Sequence, residues 1–197
     1  MSATTDIQIA DDVRGAHSLH PIVGHRVSWF STGGSSAVAT KLVVDELDQI
    51  IYVHIDDQHP DSMRFVNECA VWFGKPITIL QSHKMNVSTA VLTAGGRGYI
   101  NGVGGAACTR ALKKQVRQKW EQENVALYPM QYIWGMDASE QHRADRIRET
   151  MPEFDHRFPL IENRIGKAEA HEIMRASGIR RPAMYELGYH NNNCIGC

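Results

Sequence analysis

The chain has 197 residues, 43% hydrophobic and 22% charged, which is enough apolar material for one domain with its own core. Its 21 Lys and Arg nearly balance 22 Asp and Glu, so the net charge of −1 points the surface as a whole at neither nucleic acid nor membrane. No run approaches the roughly 20 apolar residues that cross a bilayer, and residues 1–20 are too polar for a signal-peptide core. The expected compartment is the cytoplasm, where thiols stay reduced; the four cysteines, Cys69, Cys108, Cys194 and Cys197, fit it, which argues for metal binding or redox work over structural disulfides.

Residues 1–25 carry no sustained periodicity and read as an extended or partly disordered lead-in, with the domain proper over 26–197. The first β-branched and aromatic run is Val27-Ser28-Trp29-Phe30, followed by Ile51-Tyr52-Val53-His54-Ile55, Pro76-Ile77-Thr78-Ile79-Leu80 and Tyr132-Ile133-Trp134. Each is bounded by turn formers and reads as a buried parallel strand. Helical spacing falls between them. It places Val38, Leu42 and Val43 on one face of 36–47, and Phe65, Cys69 and Trp72 on one face of 61–73. Further helices are expected over 109–123, 139–150 and 167–176. Strand alternating with helix gives an α/β chain: a three-layer, doubly wound, mostly parallel sheet covered on both faces. Six glycines between Gly95 and Gly105 predict a long mobile loop ahead of Cys108.

Four constellations carry chemistry. Ser31, Thr32, Gly33, Gly34, Ser35 and Ser36 join the first strand to the first helix. Small residues there let an anion approach backbone N–H groups at a helix N-terminus. The turn lacks the Gly-Lys-Ser/Thr of a Walker loop and the spacing of a GxGxxG fingerprint. Asp56, at the end of the second strand, can meet a ribose, a Mg²⁺ ion or an adenine amino group, whereas Asp61 after Pro60 fits a helix N-cap. Cys108 opens a basic helix bearing Arg110, Lys113, Lys114, Arg117 and Lys119, a setting that favours a reactive thiolate or a metal ligand; the basic run itself reads as a solvated face. Cys69 lies on an apolar stripe and belongs to the core. Arg143 and Arg146, on the helix after the fourth strand, can reach a phosphate, although exposed helix arginines are the commoner reading. Finally, Cys194-x-x-Cys197 admits several readings. These are tetrahedral zinc with His190 and Cys108 recruited, a redox dithiol, or an iron–sulfur cluster with Cys108, of which the cluster fits the cysteine count best.

Taken in order, these elements resemble the PP-loop superfamily of adenine-nucleotide-binding proteins (adenine nucleotide alpha-hydrolase-like), in its phosphoadenosine-phosphosulfate (PAPS) reductase branch. The resemblance covers about residues 26–197. The family's Ser-Gly-Gly-x-Asp-Ser loop stands here as Ser31-Thr32-Gly33-Gly34-Ser35-Ser36, with Thr32 for a glycine and Ser35 for the aspartate. The stretch from Asp56 to Ser62 resembles its Asp-Thr-Gly and Pro-Glu/Asp-Thr segments. Cys108-Thr109 with Leu112-Lys113 resembles the Cys-Thr-x-x-Leu-Lys element of its iron–sulfur members. Phe158-Pro159-Leu160-Ile161 and Gly188-Tyr189 through Cys197 resemble its Asn-Pro-Leu and Gly-Tyr…Cys-x-x-Cys segments.

The resemblance implies an adenine nucleotide, ATP or a relative, held by residues 31–36 with Asp56 and Arg143. It implies a [4Fe-4S] cluster on Cys108, Cys194 and Cys197, and catalytic roles for Cys108, Lys113 and Asp56, with Mg²⁺ as a further expected ion. Ala107 stands where sulfonucleotide reductases carry the first of tandem cysteines, so three cysteine ligands are expected, as in cluster-dependent thiolation enzymes. The reductases' cysteine on a carboxyl-terminal tail has no counterpart in a sequence read to Cys197. The implied activity is therefore ATP-dependent sulfur transfer, with PAPS or adenylylsulfate reduction as one alternative and a non-catalytic nucleotide- or zinc-binding module as another. The implied partners are a sulfur donor or external reductant, a nucleic-acid or small-molecule acceptor, and a second copy of the chain as a homodimer.

Overall fold

Strand and helix alternate through the computed structural model, which describes residues 24–93 and 106–195. The glycine-rich stretch, nearly all of the expected lead-in, and Cys197 lie outside the described residues. Five strands, β1 (His25–Phe30), β2 (Gln49–His54), β3 (Thr78–Gln81), β4 (Met130–Ile133) and β5 (Asp155–Arg157), form one sheet in the order β3-β2-β1-β4-β5. Every pairing is parallel; Val27 of β1, for example, lies opposite Gln49 on one side and Tyr132 on the other. The expected doubly wound sheet is present. The chain winds outward from β1 to β2 and β3, then returns to the other side of β1 for β4 and β5. The carboxyl ends of β1 and β4 therefore flank a topological switch point, where open α/β sheets place their ligands.

Period-two alternation sends β1 side chains to two different cores. Val27 and Trp29 join Ile51, Met130, Tyr132, Trp120 and Phe154 on one face. Phe30 joins Ile50, Tyr52, Ile133, Val38, Phe65, Leu160 and Met174 on the other. The second core is covered by α1 (Gly34–Leu42), α2 (Asp61–Phe73), α7 (Pro159–Glu162) and α8 (Lys167–Ala176). Trp120 of α5 (Gln115–Glu123) anchors the first, its ring meeting Trp29 edge-on at 5.5 Å. The remaining helices are α3 (Val87–Thr93), α4 (Ala107–Thr109), α6 (Gln141–Thr150) and α9 (Ala183–Glu186). Among the described residues no helix is long and apolar enough to cross a membrane.

Helices α2 and α8 run over the expected residues. Gly74 (φ 68°) takes the left-handed conformation that ends α2, its N–H bonded to the carbonyls of Ala70 and Val71. Elsewhere the structure corrects the expectation. The first strand begins at His25, inside the expected lead-in. The first helix stops at Leu42 and continues as a 3₁₀ turn over Val44–Glu46; Leu42 turns to solvent while Val38 and Val43 are buried. β3 is an edge strand and mostly exposed rather than buried, because nothing pairs its outer side among the described strands. The helix expected over 109–123 is broken by a π turn, Arg110–Lys114. Its basic residues are not all solvated: Arg117 is largely buried and pairs with Glu121 at 2.6 Å, and Glu121 accepts a hydrogen bond from Tyr132 Oη at 2.8 Å.

Candidate functional site

The turn after β1 folds on itself before it can meet a ligand. Ser31 N–H donates to Ser36 Oγ at 3.0 Å, and Thr40 Oγ1 donates to the Ser36 carbonyl at 2.9 Å, tying the turn into the first two turns of α1. Gly33 stands at the N-cap position and Gly34 opens the nine-residue helix, whose positive dipole end faces the sheet's carboxyl edge. Gly135, just past β4, packs on this turn so closely that a Cβ there would lie 2.3 Å from Ser36 Cα. Gly34 is likewise constrained: a Cβ would fall 2.6 Å from His171 Cδ2.

Thr32 adopts φ 58° and is fully buried. A β-branched residue is strained there, by about 1–2 kcal/mol. The strain is offset locally. Its hydroxyl donates to the Ser31 carbonyl at 2.7 Å and accepts from Asn192 Nδ2 at 3.1 Å, and Gln58 Nε2 approaches it at 3.5 Å. Asn192 Nδ2 also donates to the Thr32 carbonyl at 2.8 Å and to Ser62 Oγ at 3.2 Å. Gln58 in turn accepts from Tyr52 Oη at 2.5 Å and from the Ile55 N–H at 3.2 Å. Burial, with Cys194 nearby, pushes the Tyr52 phenol well above its ordinary range, so it stays a donor.

This network fixes the cysteine segment to the turn. Gln58 and Cys194 form an antiparallel bridge, and Ile195 N–H donates to the Asp57 carbonyl at 2.8 Å. Cys194 and Cys108 pack against one small apolar group of Ile55, Ala90, Ala111 and Leu112. Both thiols are half-buried. Cys69 is fully buried in the other core, where burial raises its thiol far above the ordinary range. Cys108 lies two residues before the π turn; such turns recur at functional sites because they re-aim the side chains they carry. Lys113 sits half-buried within it. Among the described residues no three His, Cys, Asp or Glu side chains gather closely enough to hold a metal ion.

The other expected residues fall as follows. Asp56 is exposed at the end of β2 and accepts from Gln81 Nε2 at 2.6 Å, with His54 Nε2 3.7 Å away. Arg143 is exposed on α6 and paired with Glu140. Asp61 is not an N-cap: Pro60 holds that position with no side-chain cap bond. As the first helical residue, Asp61 instead receives Arg64 in a two-pronged pair (2.6 and 2.8 Å) and the Ala183 N–H at 2.8 Å, so its carboxyl is held down to about 2 by Arg64 first, then by Ala183 and Arg180. That clamp seats α9, whose Tyr185 Oη accepts the Gly34 N–H at 3.2 Å while His171 meets the Tyr185 ring edge-on at 4.6 Å. Gln58, Ser62, His171, Tyr185 and Asn192 are site residues that the motifs did not single out. Only Gln58, Ser62 and Asn192 fall inside motif-bearing segments, and nothing local marks any of the five.

No protein-family model matches the sequence, and no curated protein matches it. Among solved structures the chain resembles phosphoadenylyl-sulfate (PAPS) reductase from Candida auris, determined as a phosphate complex, with a TM-score of 0.58 and 12% identity over 88% of this chain and 81% of that one. Together with the parallel strand order 3-2-1-4-5, that match gives the chain the adenine nucleotide alpha-hydrolase-like fold.

Proposed function

We propose that the chain is an adenine-nucleotide-dependent, cytoplasmic enzyme of sulfur chemistry that works through a thiolate-held iron–sulfur cluster, and that its reaction is sulfur transfer to an acceptor. The observation that carries this reading is the seating of the cysteine segment on the nucleotide turn, through Asn192 to Thr32 and Gln58 to Cys194. A chain that used its turn and its cysteines separately would have no need to join them by buried hydrogen bonds. The turn, Ser31 to Ser36, would hold the phosphates at the α1 N-terminus. Asp56, exposed beside it, would meet the ribose or a Mg²⁺ ion, and Arg143 would reach the nucleotide only after leaving Glu140.

The chemistry of the two described cysteines supports the cluster reading. Cys108 and Cys194 are soft, half-buried ligands on one apolar patch, Cys197 is the third, and Cys69 is too deeply placed in the opposite core to be a fourth. When bound, a cluster with three cysteine ligands supplies an iron with one exchangeable position. Lys113, one turn beyond Cys108, would stabilise negative charge developing on the group transferred.

Anaerobic purification followed by iron and sulfide analysis tests the cluster. A colourless protein holding one zinc per chain overturns it, and unchanged iron in Cys108→Ala overturns the ligand set. Release of AMP or pyrophosphate from ATP in the presence of a sulfur donor is the expected activity. Release of sulfite from a sulfonucleotide would instead establish reduction.

A further inference from the structure

Outside the turn and its cysteines, a cleft of about 440 Å³ opens between α8, α9 and the segment after α9. It is lined by Lys167 and His171 of α8, by Arg181 and Tyr185 at α9, and by Tyr189 and His190 beyond it. No acidic side chain lines it among the described residues. Lys167 is the first residue of α8, so its charge adds to the positive end of a ten-residue helix, and His171 follows one turn later on the same face.

Both cations keep unspent donors. The Lys167 ammonium has three protons and gives two, to the His190 carbonyl and to Asn191 Oδ1. Arg181 gives Nε to Glu186 at 2.5 Å, which leaves its terminal nitrogens. Because Arg181 and Glu186 are about half exposed, their pairing is weak and Arg181 can turn to an anion at little cost. The imidazole of His171 is held below its ordinary pKa by burial, then by Lys167 and Arg181, with only Glu172 opposing, so the wall is an uncharged ring in a positive field.

We propose that this cleft is a phosphate-ester site, separate from the 31–36 turn, that takes a phosphate of the molecule acted upon. An anion of that size supplies what the lining lacks: an acceptor for the remaining Lys167 and Arg181 donors, flanked by the hydroxyl-bearing rings of Tyr185 and Tyr189. The site also reports to the turn. His171 packs on Gly34 and Tyr185 holds the Gly34 N–H, so one wall of the cleft is shared with the start of α1. The proposal does not depend on the cluster.

The test titrates inorganic phosphate into the full chain and follows the His171 ring by NMR. A saturable shift with a raised His171 pKa is expected. Arg181→Gln should weaken phosphate binding about tenfold and leave ATP binding within about twofold, and Arg181→Lys should restore part of the loss. Competition by glycerol phosphate identifies a small monoester as the occupant, and competition by a short single-stranded oligonucleotide identifies a backbone diester. Failure of Arg181→Gln to weaken phosphate, or an unmoved His171, overturns the proposal. If phosphate binding is lost in Ser36→Ala but kept in Arg181→Gln, the anion belongs to the turn: the cleft proposal fails and the proposed function stands. Normal phosphate behaviour with no ATP binding does the reverse: the cleft stands and the proposed function fails.

Discussion

Asp61 offers a prediction whose size follows from the geometry. Its carboxylate takes four hydrogen bonds, two from Arg64, one from the Ala183 N–H and one from Arg180 at 3.3 Å, and its side chain is only 14% exposed. These partners move its pKa from 3.8 to about 2. At about 1.36 kcal/mol per pKa unit, that lowering is worth about 2–3 kcal/mol of folding stability. Because the folded pKa is depressed, that stability is fully present above the unfolded value near 4 and is lost as pH falls through about 2. Asp61→Asn keeps the shape and discards the charge. Denaturant unfolding of both proteins should show the variant about 2–3 kcal/mol less stable at pH 7, with the gap closing between about pH 4 and pH 2. A gap independent of pH, or a variant as stable as the parent at pH 7, would refute the argument that the charge of Asp61, rather than its packing, carries this stability.

Three further outcomes are expected. Gly135→Ala should cost about 1–3 kcal/mol in thermal unfolding and weaken ATP binding, since the added Cβ meets backbone of Ser36 that cannot turn away. Asn192→Ala strips three hydrogen bonds from buried Thr32 and Ser62; it should cost about 1–3 kcal/mol and lower iron content after anaerobic reconstitution, measured per folded chain. Cys69→Ser should retain full iron while lowering the melting temperature, because it buries a hydroxyl in an apolar core, whereas Cys108→Ser should do the opposite; colorimetric iron assay and calorimetry separate the two.

The large elements were legible in the residues because their signals are local. Helices α2 and α8 carry strong apolar stripes and stop at or just before Gly74 and Gly178, both left-handed, while β1, β2 and β4 are runs of β-branched and aromatic residues. The elements that escaped are short. Helices α7 and α9 span four residues each and α3 seven, too few to display a period, and β5 is Asp155-His156-Arg157, which looks like a loop. At the site, the turn, Cys108 and the Cys194 segment were readable as motifs; the structure ties the Cys194 segment to the turn through Asn192 and packs Cys194 and Cys108 on the same small apolar group. Tyr185, Gln58 and Asn192 were not, since a lone Tyr, Gln or Asn acquires meaning only from a partner far along the chain. Asp61 misled for the same reason: a residue after proline looks like a cap until Ala183 and Arg180 arrive beside it.

The bond from Asn192 to Thr32 spans 160 positions. On a ribosome that makes the chain from its amino end, β1 and its turn emerge well before the side chain that satisfies the Thr32 carbonyl. Until then the 31–36 turn carries the backbone strain of Thr32 with only its local bond to the Ser31 carbonyl to offset it. Completion of the turn is thereby tied to the segment that bears Cys194, so the two segments settle in one event. Refolding followed by a turn-specific probe should accordingly show the turn closing in the last phase, together with the protection of the Ile195 amide.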